Sequence, residues 1–230
     1  MKKKIILLCV LALSCAAFCQ QIKNKNIEVD ELFTLLNASG YELFSYDISE
    51  MLNERYSIVF VKKEFSAGKE IDSSDLNTLQ NKLLLSDFPE TSLQDILDAG
   101  LSIIDPETQA IYHADKISLG FYPSDNDSTK FMQINVPNMG NIRLPIKLRG
   151  LSMKDSNEKY FSYNTRPFKI ETFEESKFIP LVLFGSSWYD ERFNIFRFCG
   201  EREIKPDMSS EILKDVPHYY IIGVKFIKKK

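Results

Sequence analysis

Cysteine and histidine are scarce in this chain, and their scarcity removes whole classes of chemistry. Of the 4 cysteines, Cys9, Cys15 and Cys19 crowd the N-terminus, and beyond them only Cys199 remains. A lone cysteine forms neither an internal disulfide nor a cysteine-rich metal site. The 2 histidines, His113 and His218, stand far apart with no partner at ligand spacing, which excludes a histidine-rich zinc site. No metal and no cofactor is therefore expected. Past residue 19 no stretch approaches the roughly 18 consecutive apolar residues of a transmembrane helix. A basic excess is missing too: 29 Lys and Arg face 32 Asp and Glu, for a formal charge of −3. Nucleic-acid backbones need a basic footprint, so nucleic acid is not an expected partner. There is also no internal repeat, low-complexity tract or Pro/Gly/Ser-rich linker, which makes one domain the simplest division.

What is present begins at the N-terminus. Lys2, Lys3 and Lys4 precede an apolar run from Ile5 to Phe18, too short to span a bilayer comfortably. Ala17 and Cys19 then occupy the two positions a signal peptidase inspects. This three-part layout predicts a secretory signal over residues 1–19, with the exported body covering 20–230. Losing Lys2–Lys4 while all 32 acidic residues stay moves the formal charge from −3 to −6. Cys15, preceded by Ala12-Leu13-Ser14, offers an alternative, a lipid-anchored form, although Ala and Leu sit out of place for a lipoprotein box. An exported body with one cysteine must be held by its hydrophobic core.

Periodicity places helices early and strands late. Val29, Leu32, Phe33 and Leu36 share one helical face, and Gly40 stands at a C-terminal cap. Asp47 and Glu50 suggest a short capped helix, and two more helices are expected over Asp75–Leu85 and between Thr91 and Gly100. Tyr41–Tyr46 and Tyr56–Phe65 are extended, the second rich in β-branched and aromatic residues. From residue 101 the pattern is antiparallel β: Leu101–Ile104, Ala110–Phe121, Phe131–Val136, Ile142–Leu148, Lys159–Asn164, Lys177–Phe184, Arg192–Cys199 and Tyr219–Ile227. Ile142, Leu144, Ile146 and Leu148 alternate strictly, and Pro145 marks their strand as an edge. A change of phase between Ile195 and Phe196 suggests a bulge, and a short helix is expected near Ser209–Leu213. The fold class is α+β. N-terminal helices (helix-rich 27–100) are expected to pack on a mainly antiparallel sheet or sandwich formed by the C-terminal half (strand-rich 101–230).

Few constellations carry chemistry. Gly185-Ser186-Ser187-Trp188-Tyr189 lacks the second glycine of a nucleophile elbow, and a polar hairpin loop explains it. Cys199 closing an apolar strand is expected to be a buried, inert thiol rather than a nucleophile paired with His218. The two histidines are expected at half-exposed strand or loop positions. Asp125-Asn126-Asp127-Ser128-Thr129 starts like a calcium loop, but Lys130 and Val136 occupy the positions that need Gly and Glu. Arg143, Lys147 and Arg149 share the solvated face of their strand and can meet an anionic surface; protection of an exposed edge is the favoured explanation. Glu171, Glu174 and Glu175 with Asp190 and Glu191 leave open a hydrolase built on paired carboxylates. The residues chosen as a binding site are Trp188, Tyr189, Asp190 and Glu191. An indole and a phenol in a loop beside two carboxylates suit a sugar ring or a protein partner. The competing account is that Trp188 folds back onto the sheet.

Lys2–Lys4, the Cys19-Gln20-Gln21 junction and the aromatic strands near the C-terminus resemble those of small uncharacterised envelope proteins of Gram-negative, gut-type bacteria. The resemblance implies a domain of unknown function and transfers no site. The expected protein is an exported, periplasmic or secreted module that binds a glycan or an envelope protein without catalysis. A hydrolase of envelope or dietary polymers is the alternative.

Overall fold

The computed structural model describes residues 26–88, 90–100, 102–152, 158–170 and 173–229. The expected signal over residues 1–19, Cys15, Leu101 and Glu171 lie outside these. The chain divides into two compact units, one ending at Leu36 and the other running from Asn37. The helix α1 (Val29–Ala38) has no buried residue, and Val29, Leu32, Phe33 and Leu36 are all exposed. The expected packing of N-terminal helices on a sheet is thus not supported.

The second unit is antiparallel β almost throughout. One sheet takes β1 (Glu42–Asp47), β6 (Lys116–Pro123), β7 (Thr129–Val136) and β8 (Gly140–Lys147), in the order β1-β6-β7-β8. Pro145 lies in β8, the edge strand, as its missing N–H requires. The other sheet orders β11 (Tyr163–Pro167), β12 (Ile179–Ser186), β15 (His218–Lys228), β2 (Tyr56–Ser66) and β3 (Lys69–Gln80) as β11-β12-β15-β2-β3. Between the sheets, Ile117, Leu119, Phe121, Met132 and Ile134 meet Ile58, Phe60, Phe184, Ile222 and Val224. Phe121 stacks on Phe184 with ring centroids 4.7 Å apart. This shared apolar layer defines a β-sandwich.

The five-stranded sheet is covered on its other face as well. Leu183, Tyr219 and Ile221 point away from the sandwich into a second core with Phe168, Ile204, Ile212, Leu213 and Val216. The short helix α3 (Ile212–Asp215) supplies part of this cover. Burial on both faces explains why β12 and β15 are continuous apolar runs instead of alternating ones.

The remaining elements are small. β4 (Lys82–Leu84) pairs with β5 (Ala110–His113), and β9 (Leu151–Ser152) with β10 (Lys159–Tyr160). β13 (Trp188–Asp190) pairs with β14 (Ile195–Arg197). The helix α2 (Leu93–Asp98) starts from a capping box between Ser92 and Asp95, one residue beyond the Thr91 the sequence suggested, and ends before Gly100.

The segment Asp75–Leu85, expected as a helix, is the end of β3, a bend at Asn81 and β4, with Leu85 opening a single 3-10 turn. Leu76 and Leu79, three apart, both pack on the sandwich core. A register break opposite Phe60 and Val61 leaves Leu76 as an extra, bulged residue. The bulge turns Leu76 to the same face as Leu79 and so produces a helix-like spacing in a strand. Conversely, the bulge expected in Arg192–Cys199 is a hairpin turn: Asn194 has a φ of +52°, and the phase changes because the chain reverses there.

Candidate functional site

The inner face of β2 carries Tyr56, Ile58 and Phe60 into the core, and the same face continues as Lys62 and Glu64. On the neighbouring β15, Ile222 and Tyr220 are followed by His218. The interior of the sandwich therefore becomes polar at one end. β8 and Leu148-Arg149 lie over that end and leave a groove of about 520 Å³ lined by Lys62, Glu64, Lys147, Leu148, Arg149 and Tyr220.

A chain of hydrogen bonds backs this groove. The Arg149 backbone N–H donates to Tyr163 Oη at 3.0 Å. Tyr163 Oη lies 2.5 Å from His218 Nδ1, and His218 Nε2 lies 2.9 Å from Glu64 Oε1. Because Tyr163 accepts from Arg149, its own proton goes to His218 Nδ1. The imidazole then carries its hydrogen on Nε2 and donates it to the Glu64 carboxylate. Glu64 Oε1 also accepts from Arg149 Nη2 at 2.8 Å, and Arg149 Nη1 donates to Ser66 Oγ at 3.3 Å. Burial pushes the Glu64 carboxyl up, but the bonds from His218 and Arg149 outweigh it and hold it below the usual glutamate range. Burial likewise holds His218 below an ordinary imidazole, against the opposing pull of Glu64, and pushes the Tyr163 phenol up to about 12. His218 is buried, not half-exposed as expected. With both ring nitrogens engaged and a phenol this hard to ionise, the set orients Glu64 and Arg149; it does not activate a nucleophile.

The expected binding residues sit on the β13–β14 hairpin. Trp188, Tyr189 and Asp190 form its first strand instead of a loop. Trp188 is half-buried, packed on the second core, with its ring 6.4 Å from Phe198. Tyr189 donates its hydroxyl to Asn194 Oδ1, and its ring lies 5.5 Å from Phe196. Asp190 is buried and ion-paired to Arg197 at 2.8 Å and Arg192 at 3.4 Å. Glu191 is exposed in the turn. The structure thus keeps these residues together but turns Trp188 and Asp190 inward. Phe196 also meets Tyr160, at 5.3 Å, so Tyr189, Phe196 and Tyr160 form one aromatic strip. Tyr160 in turn lines a cleft of about 310 Å³ at the sheet end, with Asn126, Asp127, Lys130, Lys159 and Phe161 among the walls.

The other candidates are dispersed. Ser186 Oγ accepts from the His218 backbone N–H, 3.3 Å away, while Ser187 Oγ lies 2.8 Å from Ser162 Oγ. Cys199 is exposed, not buried: β14 ends at Arg197, and the thiol lies past it. Asp125–Thr129 closes the β6–β7 hairpin, with Asn126 Oδ1 accepting from Ser128. Arg143 lies over the rings of Phe131 and Tyr122, apart from Lys147 and Arg149. Glu174 pairs with Lys177. Among the described residues, no three His, Cys, Asp or Glu side chains cluster as a metal site requires. No helix among them is long and apolar enough to cross a membrane. Sequence reasoning missed the Tyr163–His218–Glu64 chain, whose members only sheet pairing brings together; inward-facing charge after Phe60 was the available signal.

A two-sheet antiparallel sandwich with an aromatic strip and a charged mouth is the class of protein these features define. The chain belongs to a family described as a domain of unknown function, DUF5041, whose profile matches residues 11–228. No curated protein and no solved structure matches it.

Proposed function

We propose that this protein is an exported envelope module that binds a glycan without transforming it. The observation that carries the reading is the continuity of the Tyr189–Phe196–Tyr160 strip with the sheet-end cleft. Sugar rings present apolar faces that stack on aromatic side chains and hydroxyls that need amides and carboxylates. The strip offers the first, and Asn126 and Asp127 offer the second. Hydrolysis needs two carboxyls about 5–10 Å apart across a cleft. Asp127 is the acid among the described cleft walls, which favours binding over cleavage. The N-terminal layout of Lys2–Lys4 and Ile5–Phe18 supports export. Of the expected binding residues, Tyr189 is assigned to the ligand, with Glu191 at the rim. Trp188 and Asp190 are assigned to holding the hairpin in place.

Affinity electrophoresis through gels cast with single polysaccharides tests this. At least one polysaccharide should retard the protein, and Tyr160→Ala with Tyr189→Ala should abolish the retardation while the thermal transition survives. Retardation by none of a broad panel overturns the reading.

A further inference from the structure

We propose that the groove at the mouth of the sandwich is a second site, one that binds an oxyanion through Lys62, Lys147 and Arg149. The proposal does not rest on the glycan reading. Its first support is position. Charges that merely shield a sheet point outward, yet Lys62 lies on the face of β2 that buries Ile58 and Phe60. Its ammonium lies 5.5 Å from the Tyr220 ring centre, and its alkyl stem is largely covered, with 24% of the side chain exposed. The second support is sign. The chain as a whole is acidic, yet three of the charged residues that line the groove are cationic and one, Glu64, is a carboxylate. Asp72 adds a second acid 3.6 Å from Lys62, on the more exposed side, and the balance stays positive.

The third support is preparation. Arg149 is fixed at its backbone by Tyr163 and at its guanidinium by Glu64 and Ser66. Glu64 is itself held by His218. A guanidinium braced in this way keeps its fork aimed without the entropy cost of ordering a free side chain. Among the described residues Lys147 has no ion-pair partner, and its backbone is pinned because its carbonyl accepts from Tyr220 Oη at 2.8 Å. Glu64 then acts as the resident counterion. An incoming carboxylate or phosphate shares Arg149 with it and takes Lys62 and Lys147.

The test is titration of the full chain, followed by calorimetry and by backbone amide shifts, with galacturonate, with inorganic phosphate and with neutral galactose. Saturable binding by either anion, with a dissociation constant on the order of 1 mM or tighter, is expected. Shifts should centre on Lys62, Lys147 and Arg149, and the affinity should fall as salt rises. Binding of galacturonate alone identifies a sugar carboxylate as the source, phosphate alone a phosphoryl group, and both a general oxyanion site. Lys62→Gln with Lys147→Gln should weaken binding about tenfold, whereas Glu64→Gln should strengthen it by removing the competing carboxylate. Failure of both anions to saturate, equal binding of galactose, or unchanged affinity in the double variant overturns the proposal. Should either variant fold poorly, the salt dependence and shift map of the unaltered protein decide alone. Neutral polysaccharides and Tyr160 test the glycan reading separately, so the two can fail independently.

Discussion

Asn81 shows how much a single side chain holds here. It is fully buried; its Oδ1 accepts from the Tyr56 N–H at 2.7 Å, and its Nδ2 donates to the carbonyls of Met51 and Glu54. Asn81→Ala strands buried partners on two segments, and urea denaturation should show a loss of about 2–4 kcal/mol. His218 gives a pH signature. Its folded pKa lies below the ordinary 6.5, so below that pH the unfolded chain binds the proton more readily. Stability is then fully present above about pH 6.5 and declines on acidification toward the lower folded value. His113, held low by burial and by Lys82, adds a slope of the same sign, and Glu64 extends the loss below its own ordinary 4.5. His218→Gln should therefore reduce, not abolish, the slope between pH 5 and 6.5 in denaturation measurements. None of this was legible from sequence, because residues 64, 149, 163 and 218 share no local pattern.

At the scale of elements, buried runs were the clearest signal. Tyr56–Ser66 and His218–Lys228 appear nearly where their β-branched and aromatic residues place them, because burial on both faces needs no alternation. β3 was illegible because its bulge imitates a helix and its pairing with β2 overrides local preference. That hairpin depends on its turn. Ala67 and Gly68 both have positive φ, at 50° and 74°, the backbone a two-residue hairpin with right-handed twist requires. A Cβ on Gly68 meets nothing within 4 Å, so Gly68→Ala measures backbone cost alone and should lower stability by about 1 kcal/mol. Gly223 differs. A Cβ there falls 2.3 Å from the Ile179 carbonyl, at the register break between Pro180 and Val182. Gly223→Ala should disrupt the β12–β15 pairing and lower the thermal transition far more than Gly68→Ala does.

For the whole molecule, the late antiparallel strands indicated a sheet or sandwich, and the two-sheet core agrees. The helix-rich first half does not appear, since β1 to β4 lie within it and β1, β2 and β3 join the two sheets. The aromatic density near the C-terminus did point toward the hairpin, yet only pairing showed that Tyr189 and Phe196 face Tyr160 while Trp188 turns toward Phe198. Trp188→Ala should therefore destabilise the fold by about 3 kcal/mol, as a core truncation does. The central claim is that the strip and its cleft bind a glycan without cleaving it. Its most direct measurement follows one retarding polysaccharide for both mobility shift and release of reducing ends. The account predicts retardation by the unaltered protein, none by Tyr160→Ala with Tyr189→Ala, and no reducing ends from either. Reducing ends released by the unaltered protein, or retardation that survives the double substitution, would contradict it.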